Sequence, residues 1–187
     1  MKVDIFKLKK KYHVVYADPP YMFRNKKTGG GMKSGSSSKY ITMTTDEICN
    51  LPIKKISHDN AVLYLWVPVA MIHDGLRIME EWGFKYKTML FWRKAGSGGW
   101  GFWYRGEVEI LLFGIKGKVK AFRSKRTNYV EHRRMGHSVK PDVFREIIEE
   151  STIQFGKNKK MIELFARKHP EKKFYQKKWD YYGSQFK

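Results

Sequence analysis

The chain has 187 residues, 42% of them hydrophobic, which is enough for one core and about one domain. Its 38 lysines and arginines against 18 aspartates and glutamates leave a net charge of +20, far more than solubility requires, and point to a polyanionic partner. No run approaches the roughly 18 apolar residues of a membrane span, no signal peptide is recognisable, and the single cysteine, Cys49, excludes an intrachain disulfide and a cysteine-based metal site. A soluble, cytoplasmic protein that meets nucleic acid and not membrane is expected.

Residues 1–12 are lysine-rich, with Ile5, Phe6 and Leu8 interspersed, and read as a partly ordered arm or an edge segment. Val14-Val15-Tyr16-Ala17 then has the β-branched and aromatic character of a short buried strand, and it runs into Asp18-Pro19-Pro20-Tyr21. Each proline fixes φ at about −65° and lacks an N–H, so neither helix nor ladder continues, and the carbonyls of Asp18 and Pro19 are released from strand pairing. A carboxylate, a carbonyl and an aromatic face suit a flat ring bearing an –NH2 group. The first two accept the amino hydrogens while the third stacks on the ring. Residues 22–39, with a triple glycine, three serines and many cations, are expected to be a mobile loop able to close over a flipped base or grip phosphate.

Thr44-Thr45-Asp46-Glu47 supplies an N-cap and first-turn acids, predicting a short helix over 44–51 that Pro52 stops. The unbroken apolar run 61–67 predicts a central strand covered on both faces. Pro68 opens a predicted helix to about Trp82, with Val69, Ile72, Leu76 and Met79 three or four apart, and Gly83 ends it before a strand over 84–92. Strand, helix, strand is a βαβ unit and implies an α/β sheet.

Residues 95–106 form a second glycine-rich loop with Trp100, Phe102, Trp103 and Tyr104, either a contact surface or a lid folded onto its own domain. The strand predicted over 108–115 carries Glu109, whose carboxylate needs a partner there: an arginine, or the substrate pocket. Residues 118–140 are the most basic stretch, with Arg123, Lys125 and Arg126 among aromatics and histidines. That composition suits a loop gripping nucleic acid between two elements that meet at the active site. A helix over 141–152, a strand over 161–166 and a strand-like segment over 179–186 complete the chain. His132 and His137, five apart among arginines, make no metal pattern. A single domain over 1–187 is expected, with mobile loops near 22–39, 95–106 and 118–140.

Six stretches occur in order: Ala17-Asp18-Pro19-Pro20-Tyr21, Glu81-Trp82-Gly83-Phe84, residues 105–117, His137-Ser138-Val139-Lys140-Pro141-Asp142, Ile162-Glu163-Leu164-Phe165-Ala166-Arg167, and Trp179-Asp180-Tyr181-Tyr182-Gly183-Ser184-Gln185. Together they resemble the MT-A70 family of adenine N6-methyltransferases. The resemblance implies a permuted Rossmann-like methyltransferase fold, a mostly parallel central sheet flanked by helices, in which the Pro-Pro motif precedes the main cofactor-binding strand. It implies S-adenosyl-L-methionine as cofactor, with Arg167, His169, Ser184 and Gln185 on its ribose and adenine, Asp18 near its methionine end and Lys140 by the pocket. Asp18, Pro19, Pro20 and Tyr21 become the catalytic set, with Tyr21 stacking on the target adenine and Glu109 helping to orient it.

Tyr21 stands where the RNA-methylating members have tryptophan, which inclines the reading towards DNA over RNA. Ser184 replaces an asparagine, and Pro170 stands where a polar residue is usual. RNA adenine methylation, cytosine N4 methylation and a catalytically silent nucleic-acid-binding subunit are the alternatives; the intact Asp18 carboxylate speaks against the last. So small a chain suits a prokaryotic or phage-type enzyme, as a homodimer or a heterodimer with a related subunit, with residues 100–104 as a plausible interface.

Overall fold

The computed structural model describes residues 2–22, 42–96, 103–123, 125–134, 139–166 and 179–183. Arg167, His169, Ser184, Gln185, Trp100, Phe102, His137 and most of the loop 22–39 lie outside the described residues. In chain order the strands are β1 (Tyr12–Ala17), β2 (Ser57–Val67), β3 (Lys85–Ala95), β4 (Val108–Lys116), β5 (Tyr129–Arg133), β6 (Met161–Leu164) and β7 (Trp179–Tyr182). The helices are α1 (Thr45–Cys49), α2 (Ile53–Ile56), α3 (Ile72–Glu81) and α4 (Val143–Ser151).

The strands make one sheet in the order β5-β3-β4-β2-β1-β6-β7. β4 pairs antiparallel with β2 and with β3, while the other pairings are parallel, so β4 alone among the described strands is reversed. Both faces are covered. Ala61, Leu63, Leu65 and Val67 of β2 pack with Ile48, Ile53, Ile56, Ile78 and Met79 from α1, α2 and α3. Val62, Tyr64 and Trp66 pack on the other face with Phe144, Ile147 and Ile148 of α4. Burial on both sides removes any alternation, which is why this strand reads as an unbroken apolar run.

The predicted α1 opens with a capping box: Glu47 N–H donates to Thr44 Oγ1 at 3.2 Å, and Thr44 N–H donates to the Glu47 carboxylate at 2.7 Å. Pro52 stops α1 but also opens the single turn of α2. After Pro68 a 3-10 turn, Val69–Met71, precedes α3, and Gly83 at φ +81° ends that helix as predicted. Residues 118–140 are not one loop. Tyr129 to Arg133 pair in register with Phe91 to Ala95 of β3, and the outward side chains Tyr129, Glu131 and Arg133 are those of an edge strand. Charge on an edge strand hides it from an apolar-run criterion. The amino-terminal segment is an edge segment: Lys2 bridges Tyr181 of β7, and Ile5 is buried.

The connections into the two strands that flank β1 run over opposite faces. The path from β1 to β2 carries α1 and α2 across one face, and the path into β6 carries α4 across the other, yet β2 and β6 both flank β1. In an open α/β sheet such a reversal opens a cleft beyond the carboxyl ends of the strands, here at β1 and β6. Because β4 is reversed, its first residues reach this same edge.

Candidate active site

Asp18 is the first residue beyond β1, and its N–H donates to the Leu164 carbonyl of β6 at 3.4 Å. Lys140, shortly before α4, places Nζ 2.8 Å from each Asp18 carboxylate oxygen. The same Nζ is 3.4 Å from Glu109 Oε2, on the second residue of β4. Glu109 Oε1 is in turn 2.7 Å from Nζ of Lys94, near the end of β3. Four charges of alternating sign, Asp18, Lys140, Glu109 and Lys94, therefore line the carboxyl edge of the sheet. Glu109 has lysine partners where an arginine or the pocket was anticipated. Lys140 also lies 5.3 Å from the Trp66 ring centroid, and Lys94 lies 5.7 Å from that of Trp92, so each ammonium has an indole wall.

Burial by itself lowers an ammonium pKa, but Asp18 and Glu109 outweigh it and hold Lys140 above the ordinary lysine range. Burial likewise pushes Glu109 up, and Lys140 and Lys94 outweigh it, leaving the carboxyl below the usual range. Both groups are charged at neutral pH.

The Pro-Pro turn is pinned rather than free. The Pro19 carbonyl accepts the Tyr21 N–H at 3.0 Å, the Pro20 carbonyl accepts the Met43 N–H at 2.8 Å, and the Met22 N–H donates to the Met43 carbonyl at 2.9 Å. The Pro19 carbonyl is thus out of strand pairing but partly engaged in the turn, and its second lone pair is still able to accept. Tyr21 is 6% exposed, and its hydroxyl donates to the Trp66 carbonyl at 2.9 Å. Burial, reinforced by Asp18, raises its pKa well above the phenol range, so the hydroxyl stays a donor and ties the turn to the end of β2.

Behind Lys140 stands a group that the sequence reading missed. Arg145 of α4 donates to both Glu163 oxygens, at 3.0 and 2.6 Å, and to Asp142 Oδ1 at 2.6 Å, with its guanidinium 5.6 Å from the Tyr16 ring centroid. Tyr16 accepts the Trp66 indole N–H at 2.7 Å. Burial works against the guanidinium charge, but Glu163 and Tyr16 outweigh it and raise the pKa of Arg145. The network fixes the start of α4 and hence Lys140. Its sequence signal was the three-residue spacing of Asp142 and Arg145 at a helix start, together with a carboxylate inside the apolar run Ile162-Glu163-Leu164.

Arg123, Lys125 and Arg126 are not brought to this edge. They lie between β4 and β5, and Arg126 is 2.8 Å from Glu150 near the end of α4. Of the described cations in the 118–140 stretch, Lys140 joins the Asp18 cluster, and Arg133, at the end of β5, lies opposite Ala95. Among the described residues no group of three side chains has the makings of a metal site, and no helix is long and apolar enough to cross a membrane.

With this geometry in place, comparison with known proteins is decisive. The profile of the MT-A70 family matches residues 12–185. The chain belongs to the MT-A70 family. It is an adenine N6-methyltransferase by that membership. It is 32% identical over 176 residues to the type II methyltransferase M.MunI of Mycoplasma sp., covering 85% of this chain and 73% of that protein. A putative N(6)-adenosine-methyltransferase MT-A70-like of Medicago truncatula is 29% identical over 166 residues, and the human N(6)-adenosine-methyltransferase catalytic subunit METTL3 is 28% identical over 169. Each covers 85% of this chain, which spans only 24% and 26% of their lengths.

MT-A70 membership implies S-adenosylmethionine, and the residues at the cleft fit it. Phe165 turns left-handed at φ +62° beyond β6, and a Cβ on Gly183 would fall 2.4 Å from the Ala166 carbonyl oxygen. The chains leaving β6 and β7 are therefore in close contact at the edge where Asp18 and Lys140 offer an anion and a cation. Those opposite charges suit the ammonium and carboxylate ends of a methionine moiety.

Proposed function

We propose that this MT-A70 chain methylates the N6 amine of adenine in DNA, with S-adenosylmethionine bound beyond β1, β6 and β7 of a permuted Rossmann-like fold. The observation that carries the reading is the Asp18 carboxylate, bracketed by Lys140 at 2.8 Å from both oxygens where the sheet's connections reverse. Permutation is supported by chain order: the Pro-Pro strand comes first yet lies beside β6, which precedes the expected cofactor contacts Arg167 and His169. Ser184 and Gln185 follow β7 in the same way and complete that set.

Adenine's amine is a weak nucleophile because its lone pair is delocalised into the ring. Asp18 and the free lone pair of the Pro19 carbonyl accept the two amino hydrogens, favouring the pyramidal nitrogen of the transition state. The cofactor supplies an electrophilic methyl group. Lys140 occupies one lone pair on each Asp18 oxygen, which sets the direction of the acceptor that remains, and positioning then supplies much of the rate. Asp18 is also an acceptor for the proton that the methylated amine sheds. Tyr21, anchored through its hydroxyl, has only its ring to offer the base, and Glu109 orients the site through Lys140. Arg123, Lys125 and Arg126 serve as contacts to the polymer backbone outside the Asp18 cluster.

DNA is favoured by Tyr21 and by the 73% of M.MunI that the chain covers, since the type II designation belongs to the vocabulary of DNA modification. A prokaryotic or phage-type enzyme of the cytoplasm, as a homodimer or beside a related subunit, fits this reading. RNA is the second reading, favoured by the adenosine-methyltransferase names of the other relatives. Methyl transfer from labelled S-adenosylmethionine to matched DNA and RNA, followed by nucleoside mass analysis, tests both. N6-methyl-2′-deoxyadenosine is the expected product. Label in RNA alone moves the substrate, methylcytosine overturns the target base, and cofactor binding without transfer to either polymer points to a silent subunit.

A further inference from the structure

Trp103 is 91% exposed and Tyr104 90% exposed, more than any other large apolar side chain among the described residues. Neither side chain packs against its own domain. Both stand in the connection between β3 and β4, and the base of that connection is the active edge itself: the Lys94 N–H donates to the Glu107 carbonyl at 2.9 Å, one step from the Lys94–Glu109 ion pair. Met22, after β1, and Val69, after β2, are exposed along the same edge. The flank is cationic, with Arg105 in the connection and Arg133 and Arg134 at the end of β5 exposed beside it. A second copy of this +20 chain would bring like charges together there, whereas a polyanion would not.

We propose that Trp103 and Tyr104 enter the base stack of duplex DNA and fill the gap left when the target adenine swings out to Asp18. The inference rests on the DNA reading above. The N6 amine of a stacked, paired adenine is out of reach, so the nucleotide must be extruded, and the hole it leaves costs stacking and pairing. Two adjacent rigid aromatics restore much of the stacking, and they do so for any neighbouring base, because every base has a π-face. Side chains this exposed contribute little to their own fold, so their removal spares the protein.

The test compares wild type, Trp103→Ala, Tyr104→Ala and Trp103→Phe on a duplex pool carrying every six-base sequence, and on one strand of that pool alone. The alanine variants are expected to lose about tenfold or more in kcat/KM on the duplex and to stay within about twofold of wild type on the single strand. Trp103→Phe should restore most of the duplex rate. Placing an abasic site opposite the methylated adenine of a preferred sequence should rescue the alanine variants. Equal losses on duplex and single strand, or none on either, overturn the proposal. So does a Trp103→Ala change from dimer to monomer by light scattering with an unchanged duplex-to-single-strand ratio. Wild-type protein that methylates RNA but no DNA overturns the DNA reading itself, and this inference with it.

Discussion

Asp18 brings a negative charge to a cleft where, among the described residues, its counter-ion is Lys140, shared with Glu109. Asp18→Ala is expected to lower kcat by at least about a hundredfold while leaving phosphate-driven binding nearly intact, as single-turnover transfer and a filter-binding titration would show. Glu109 has a pH signature. Its pKa is depressed on folding, so the stability it contributes is present above the ordinary carboxylate range and is lost as pH falls through the lower folded value. Lys140, raised on folding, contributes fully below the ordinary lysine range and loses that contribution as pH rises through its higher folded value. Glu109→Gln should therefore melt lower than wild type at pH 7, yet lose less on going from about pH 5 to about pH 3 in thermal scans. Asp18 and Glu109 were legible in the sequence because a carboxylate at a strand end or in an apolar run demands an explanation. Lys94 was not, since one lysine in a chain with 38 lysines and arginines carries no signal until folding sets it against Glu109.

At the scale of elements, the Pro-Pro turn depends on α1. Met43, which exchanges hydrogen bonds with Pro20 and Met22, immediately precedes the N-cap Thr44. Thr44→Ala should cost about 1 kcal/mol, or about 3 °C in melting temperature, and a larger share of activity than of fold. Glu163→Gln leaves Arg145 with Asp142 as its sole described carboxylate and should cost about 3 kcal/mol by denaturant titration, with Lys140 loosened as a result. Most of the central elements were legible, because runs such as 61–67 and the spaced apolar positions of α3 follow directly from burial. β5 and α2 were hidden: the first is a charged edge strand, and the second is one turn that tertiary packing of Ile53 and Ile56 stabilises.

For the whole molecule, folding divides the basic 118–140 stretch, which the sequence cannot express: Lys140 meets Asp18, Arg133 lies opposite Ala95, and Arg126 pairs with Glu150. Arg133→Ala with Arg134→Ala is expected to weaken DNA binding and to reduce its salt slope by about 2, whereas alanine at Arg123, Lys125 and Arg126 should barely change methyl transfer to a short duplex. Binding isotherms at several salt concentrations separate the two. The reversed strand has a wider consequence. A parallel crossover must bring the chain back across the whole depth of the sheet, so its length and content are constrained, but β3 and β4 pair antiparallel, and their connection leaves and re-enters the sheet at the reactive edge. Residues there can be exchanged, lengthened or shortened without re-threading the fold. The Asp18 cluster is thereby separated along the chain from the connection that carries Trp103 and Tyr104, so the second can vary while the first stays fixed.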